Sequence, residues 1–211
     1  MTVLPDAAAV ARAGAELVSS EIQDGAQTLA VSGGRTPREL FELLAARDLE
    51  WGRVCLLFAD ERALPPDDAE ANYRLVRETL LARVTPGVVL RVPGELGADQ
   101  AASWYDALVG RLQPLDLVLL GMGEDGHCAS LFPGNPALDA AGWAVAVHGA
   151  PKPPPDRVSL TLGCLRNARR VVFLVTGADK ADALRAAQRG EVPAGLIPNA
   201  EWLVDEAAAS R

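Results

Sequence analysis

Apolar residues recur along the chain in two rhythms, and their alternation predicts the fold. Unbroken apolar runs at residues 28–31, 54–59, 88–92, 115–120, 158–162 and 171–175 have the length and composition of buried strands. Between them the apolar positions shift to helical spacing. Asp6 is placed to cap a first helix carrying Val10, Ala13, Leu17 and Val18. Thr36, Pro37 and Glu39 fit the cap, first position and capping-box position of a second helix carrying Leu40, Phe41, Leu43 and Leu44. A third contains Tyr73, Val76, Leu80 and Leu81. A fourth, over 98–112, sets Ala101, Trp104, Leu108 and Leu112 on one side. Residues 143–148 alternate as a strand, and 151–155 read as a proline-rich linker. Gly177-Ala178-Asp179 opens another helix, and 202–204 form a last strand before a C-terminal helix. Strands alternating with helices predict an α/β fold: one domain over residues 1–211, with a mostly parallel, Rossmann-like open sheet covered by helices on both faces.

Composition then narrows the function. With 20 Lys+Arg against 28 Asp+Glu the net charge is −8, which argues against a nucleic-acid partner. The apolar runs are too short for a membrane span, and the N-terminus lacks the basic and apolar regions of a secretory signal. Three cysteines, Cys55, Cys128 and Cys164, have no CxxC spacing. No metal site is expected, and a reducing cytoplasm suits the free thiols. Only two lysines, Lys152 and Lys180, and two histidines, His127 and His148, are present, so few groups are available for acid–base work.

Four polar segments follow apolar runs directly: 32–37, 60–62, 121–127 and 177–180. In an open parallel sheet such loops gather on the rim at the carboxyl ends of the strands, which brings Arg62, His127 and Lys180 together. Gly33 and Gly34 before a helix start, with Arg35 and Thr36, suit either an anion cradle or a tight strand-to-helix turn. The string Gly121-Met122-Gly123-Glu124-Asp125-Gly126 matches the dinucleotide fingerprint literally. Pro133 and Pro136, however, cut short the helix that fingerprint needs, and no acid lies about 20 positions on. The string reads better as a glycine loop presenting Asp125 and His127. His127 has the intrinsic pKa of a general base, and a neighbouring carboxylate can orient its ring. Arg62 is a candidate fork for phosphate oxygens with Asp60 beside it in a sugar site, the alternative being a local ion pair. Lys180 and Arg157 are candidate phosphate ligands. His148, which ends a strand without a motif, reads as surface or structural, and Lys152 falls in the linker. No G-x-S-x-G elbow is present, and Cys128 reads as a small buried thiol.

Taken together, these strings resemble the 6-phosphogluconolactonases of the glucosamine-6-phosphate isomerase/6-phosphogluconolactonase family. The resemblance rests on Val31-Ser32-Gly33-Gly34-Arg35-Thr36-Pro37, on Asp60-Glu61-Arg62 with Asn72-Tyr73, and on Gly126-His127-Cys128-Ala129-Ser130-Leu131-Phe132-Pro133. Further along, it rests on Pro154-Pro155-Asp156-Arg157-Val158-Ser159-Leu160-Thr161-Leu162, Gly177-Ala178-Asp179-Lys180, and Trp202 with Asp205. Cys128 stands where Thr is commoner, and Gly163 where Pro is common. Glucosamine-6-phosphate deaminases share the fold but carry Phe-Asn-Glu after the residue matching Ala129. Here Ser130-Leu131-Phe132 stands instead, without the ring-opening glutamate.

The resemblance implies hydrolysis of 6-phospho-D-glucono-1,5-lactone in the oxidative pentose phosphate pathway, without metal or organic cofactor, by a cytoplasmic monomer or small homo-oligomer. It assigns His127 as base on water, with Asp125, Arg62 and Asp60 at the reacting centre. Gly33, Gly34, Arg35, Thr36, Arg157 and Lys180 fall at the phosphate. The competing readings are a deaminase-like enzyme and a non-catalytic sugar-phosphate sensor.

Overall fold

Thr28–Val31 (β2) is buried at every residue and lies between two equally apolar neighbours, Cys55–Phe58 (β3) and Leu117–Leu120 (β6). Around this centre the computed structural model, which describes residues 1–210, builds a seven-stranded sheet. Its order is β1-β10-β9-β6-β2-β3-β5, where β1 is Thr2–Leu4, β5 Val88–Leu90, β9 Arg170–Val175 and β10 Glu201–Asp205. Every pairing in it is parallel. Strands buried on both faces read as continuous apolar runs, which is why the sequence shows runs rather than alternation. The helices that cover the sheet are α1 (Ala7–Gln23), α2 (Arg35–Ala45), α3 (Asn72–Val76), α4 (Ala98–Val109), α5 (Leu162–Asn167), α6 (Ala181–Gln188) and α7 (Glu206–Ala209).

From β2 the chain moves through β3 to β5 on one side, whereas β6, β9 and β10 build the other. The strand order therefore reverses between β2 and β6, and the loops leaving these two strands flank the crevice where open parallel sheets take ligands.

Three expectations are corrected. Asp60–Arg62 (β4), Ala144–Val147 (β7) and Arg157–Leu160 (β8) do not join the main sheet; they form a separate antiparallel one in the order β4-β8-β7. Only Ala59 separates β4 from β3, so no crossover helix is available to bring β4 back parallel. The N–H of Ala59 donates to the Val31 carbonyl (2.8 Å), and its own carbonyl accepts from Leu160 N–H (2.8 Å). One residue thus belongs to both sheets. Second, α2 starts at Arg35, so its cap position falls on Gly34, two residues before the expected Thr36 cap. Third, α4 buries Ala98, Ala101, Ala102, Tyr105 and Val109 and leaves Trp104 exposed, so the apolar stripe is rotated from the expected one. Strand β1, by contrast, carries too few residues to be recognised from pattern.

Tyr105 shows how a helix completes the sheet. Strand β5 pairs with β3 only as far as Leu57. Beyond it the buried Tyr105 hydroxyl accepts from Phe58 N–H (2.8 Å) and donates to Phe58 C=O (2.7 Å), standing in for the missing strand just before the chain enters the site.

Candidate active site

The four rim segments converge as expected, although one of them is strand β4 rather than a loop. They line a cavity of about 700 Å³ whose wall includes Gly33, Gly34, Arg35, Thr36, Asp60, Arg62, His127, Arg157 and Lys180.

His127 and Asp125 form a dyad on the loop after β6. His127 Nδ1 lies 2.5 Å from Asp125 Oδ1, which also accepts from the His127 N–H at 3.2 Å. A carboxylate at Nδ1 requires the proton on that nitrogen, which leaves the Nε2 lone pair free to take a proton. Partial burial acts to raise the Asp125 carboxyl, but the hydrogen bond and charge of His127 outweigh it and hold the carboxyl below the usual aspartate range. The His127 ring also packs on Phe132, with centroids 4.4 Å apart.

Gly123 is explained by this dyad rather than by a dinucleotide. A Cβ on Gly123 would lie 2.0 Å from His127 Nδ1 and 2.6 Å from Asp125 Oδ1. Gly126 has φ +78° against Val192. Gly123→Ala is expected to push the ring aside and lower turnover by about 10²-fold while the fold persists. Steady-state kinetics beside a thermal melt check this; unchanged kinetics would show that the ring does not need that space.

The loop after β2 forms the opposite wall. No side chain caps α2, and the N–H groups of Gly34, Arg35 and Thr36 find no acceptor among the described residues, while Pro37 has no N–H to leave unsatisfied. Gly34 has φ +117°. Gly33 is required for a different reason: a Cβ there would meet Asn72 Oδ1 at 2.0 Å. The Thr36 hydroxyl hydrogen-bonds Thr176 Oγ1 (2.7 Å) rather than its own helix. The result is an uncapped helix N-terminus, with its partial positive charge, facing the cavity.

Arg62 and Arg157 sit directly opposite each other in the β4–β8 ladder. Like charges at such positions repel. Burial lowers the basicity of Arg157, and the Arg62 charge lowers it further. The Arg62 Nη1 donates to the Glu70 carbonyl, while its buried Nε has no partner. Arg157 donates from Nε to Pro154 O (3.1 Å) and from Nη2 to Lys152 O (2.8 Å) and Pro153 O (3.3 Å). Its Nη1 is the nitrogen left without a protein acceptor among the described residues. Asp60 is committed within the protein: Oδ2 accepts from Ser130 Oγ (2.7 Å) and Oδ1 from Asn72 Nδ2 (3.3 Å). Lys180 faces Asp179 (3.1 Å) and Glu124 (3.6 Å), and the Gly177 N–H ahead of it is held by both oxygens of buried Asp205 at 3.0 Å.

Comparison with known proteins places the chain in a family and matches its fold. The family model for glucosamine-6-phosphate isomerases/6-phosphogluconolactonase matches residues 5–204. The chain belongs to this family. Among curated family members, the 6-phosphogluconolactonase of Streptomyces coelicolor is 38% identical over 97% of this chain and 89% of its own. The chloroplastic 6-phosphogluconolactonase 3 of Arabidopsis thaliana is 33% identical over 89% of this chain, which spans 66% of that longer relative. The crystal structure of 6-phosphogluconolactonase from Thermotoga maritima superposes with a TM-score of 0.89 at 26% identity, covering 97% of this chain and 98% of that one. Each of the strings that carry the family resemblance contributes at least one residue to the cavity wall, Asp205 in the case of the last.

Cys128 is buried, and burial pushes its thiol up to about 12, so it is protonated beside the base as expected of a small apolar residue. His148 is exposed and bonded to Asp156 (2.8 Å) and Asp99 (3.2 Å), away from the dyad. Among the described residues, no group of three His, Cys, Asp or Glu side chains is placed to hold a metal ion, and no helix is long and apolar enough to cross a membrane. Sequence reasoning assigned no role to Thr176, Glu124 or Asp205, and it set Lys152 aside as part of a linker; all but Glu124 line the cavity. Asp205 could have been found by the rim argument, since it ends β10.

Proposed function

We propose that the protein hydrolyses 6-phospho-D-glucono-1,5-lactone to 6-phospho-D-gluconate, the reaction that supplies the acid in the oxidative pentose phosphate pathway. The observation that carries the reading is His127, held by Asp125, in one cavity with an uncapped helix N-terminus, two facing arginines and Lys180. A base is thus set beside a site built for a dianion, and the relatives' names point the same way.

A ring lactone is already an activated ester, so a base and charge stabilisation suffice. His127 Nε2 takes a proton from water as it attacks C1, and the imidazolium, steadied by Asp125, returns a proton to the leaving ring oxygen. Arg62 supplies guanidinium charge for the developing oxyanion or for the phosphate, with Arg157 facing it across the ladder. The backbone N–H groups at Gly34, Arg35 and Thr36, with Lys180, hold the phosphate, whose binding energy positions a distant carbonyl. Asp60 serves as a positioning residue, tying Ser130 and Asn72 to the wall.

Acid release from freshly made 6-phosphogluconolactone, measured above its spontaneous hydrolysis, tests the reading. Ammonia release from glucosamine 6-phosphate is the control for a deaminase, and its appearance without lactone hydrolysis would reverse the assignment. Lys180→Ala is expected to raise KM for the phosphorylated lactone about tenfold more than for unphosphorylated gluconolactone. Equal effects would remove Lys180 from the phosphate site.

A further inference from the structure

The proline segment between β7 and β8 does more than connect strands. Lys152 in this segment lines the same cavity as His127 and Lys180. Its Nζ lies 3.6 Å from Glu124 Oε1, and Lys180 Nζ lies 3.6 Å from the same oxygen. The two ammonium groups are therefore within twice that distance of each other, both against one carboxylate oxygen. Glu124 stands three residues before His127, on the loop that carries the dyad. Both lysines of the chain thus meet at one edge of the cavity.

The backbone of Lys152 is held by an unusual use of arginine. A buried guanidinium normally meets a carboxylate or phosphate. Arg157 is 4% exposed, lies over the Phe132 ring at 5.5 Å, and donates to the carbonyls of three consecutive residues, Lys152, Pro153 and Pro154. Prolines have no N–H with which to join a ladder, so this fork replaces the cross-strand bonds that would otherwise fix the segment. The Ala150 N–H closes it by donating to Pro155 O at 2.9 Å.

We propose that Lys152 is a specificity-determining residue for the phosphate, that Arg157 is the positioning residue that sets it there, and that Glu124 is the counter-ion the phosphate displaces. The proposal rests on the lactonase reading. At 3.6 Å, with half-exposed partners, the Glu124–Lys152 contact is a weak ion pair. A phosphate dianion carries more charge than a carboxylate and can accept from both lysines at once. It therefore exchanges with Glu124, whereas an unphosphorylated sugar gains nothing from the exchange. In the empty site Glu124 keeps two like charges apart and discourages smaller anions.

The test is the ratio of kcat/KM for 6-phosphogluconolactone to that for gluconolactone, with inorganic phosphate titrated onto the same proteins. Lys152→Ala is expected to lower the ratio about tenfold and to weaken phosphate binding by a similar factor. Arg157→Lys keeps the charge but loses the fork and is expected to lower the ratio as well, with the double variant little worse than Arg157→Lys alone. Glu124→Gln is expected to tighten inorganic phosphate binding. A ratio untouched by Lys152→Ala overturns the proposal, as do fully additive effects of the two changes, which would make Arg157 an independent ligand. If the wild-type protein does not hydrolyse the phosphorylated lactone, the lactonase reading fails. The phosphate titration then decides this proposal alone: weaker binding by Lys152→Ala sustains it, and equal binding overturns it.

Discussion

Replacing His127 by Ala is expected to slow hydrolysis of 6-phosphogluconolactone by about 10³-fold, within the 10²–10⁴ that a positioned acid–base group contributes. The loss falls on kcat, because the phosphate-binding groups lie on other loops. Inorganic phosphate should still bind His127→Ala with near wild-type affinity. The dyad geometry is the reason for so large a figure. Asp125 at 2.5 Å fixes both tautomer and ring orientation, Gly123 leaves the ring room, and Phe132 backs it. Neither cysteine buried near the sheet end nor exposed His148 can substitute, the former being protonated and the latter engaged with Asp99 and Asp156. Turnover within a few-fold of wild type would show that water is activated by another group.

The second large effect concerns stability. Glu61, 2% exposed, points away from the cavity, and its carboxylate accepts three backbone N–H groups: Arg62 and Asn72 at 2.7 Å and Tyr73 at 2.6 Å. It thereby ties β4 to the start of α3, where no other side chain caps the helix. Glu61→Ala leaves these three donors, one buried and two partly buried, without an acceptor and is expected to cost about 3 kcal/mol. Burial pushes the Glu61 carboxyl up to about 7, with the three donors acting in the opposite sense. A carboxyl raised above its usual 4.5 gives a contribution that is full below that value and is lost as pH rises through about 7. Urea unfolding should therefore show a larger gap between wild type and Glu61→Ala at pH 5 than at pH 8. A gap that widens with pH would show that the three donors govern the carboxyl instead.

Much of this arrangement was legible in the sequence. The apolar runs located the strands of the main sheet other than β1, and the rim argument brought Arg62, His127 and Lys180 to one cavity without any relative. What escaped detection shares a physical cause. Single apolar runs look alike whether a strand lies in the large sheet or the small one, and only the absence of room for a crossover after Ala59 separates β4 from its neighbours. Thr36 and Pro37 offered a cap, but Thr176 from a strand end far along the chain took the hydroxyl. The charge of Arg157 is visible in a sequence, whereas the three carbonyls its Nε and Nη2 bind are contributed by every residue type alike. Lys152 was dismissed by its neighbours: prolines announce a linker, and nothing in their pattern says that a guanidinium folds them over the cavity.

Ala59 carries a consequence for how the cavity behaves. Its amide completes a ladder in the large sheet and its carbonyl completes one in the small sheet, so the peptide joining the two has no slack. The dyad and the α2 terminus ride on the large sheet, and the arginine pair rides on the small one. Opening the two walls like a clamshell would break hydrogen bonds in both ladders at once, which confines easy motion to the loops that rim the cavity. The two charged walls are held at a fixed separation before any ligand arrives, so little ordering remains to be done on binding and the charges need not reorganise as the reaction proceeds.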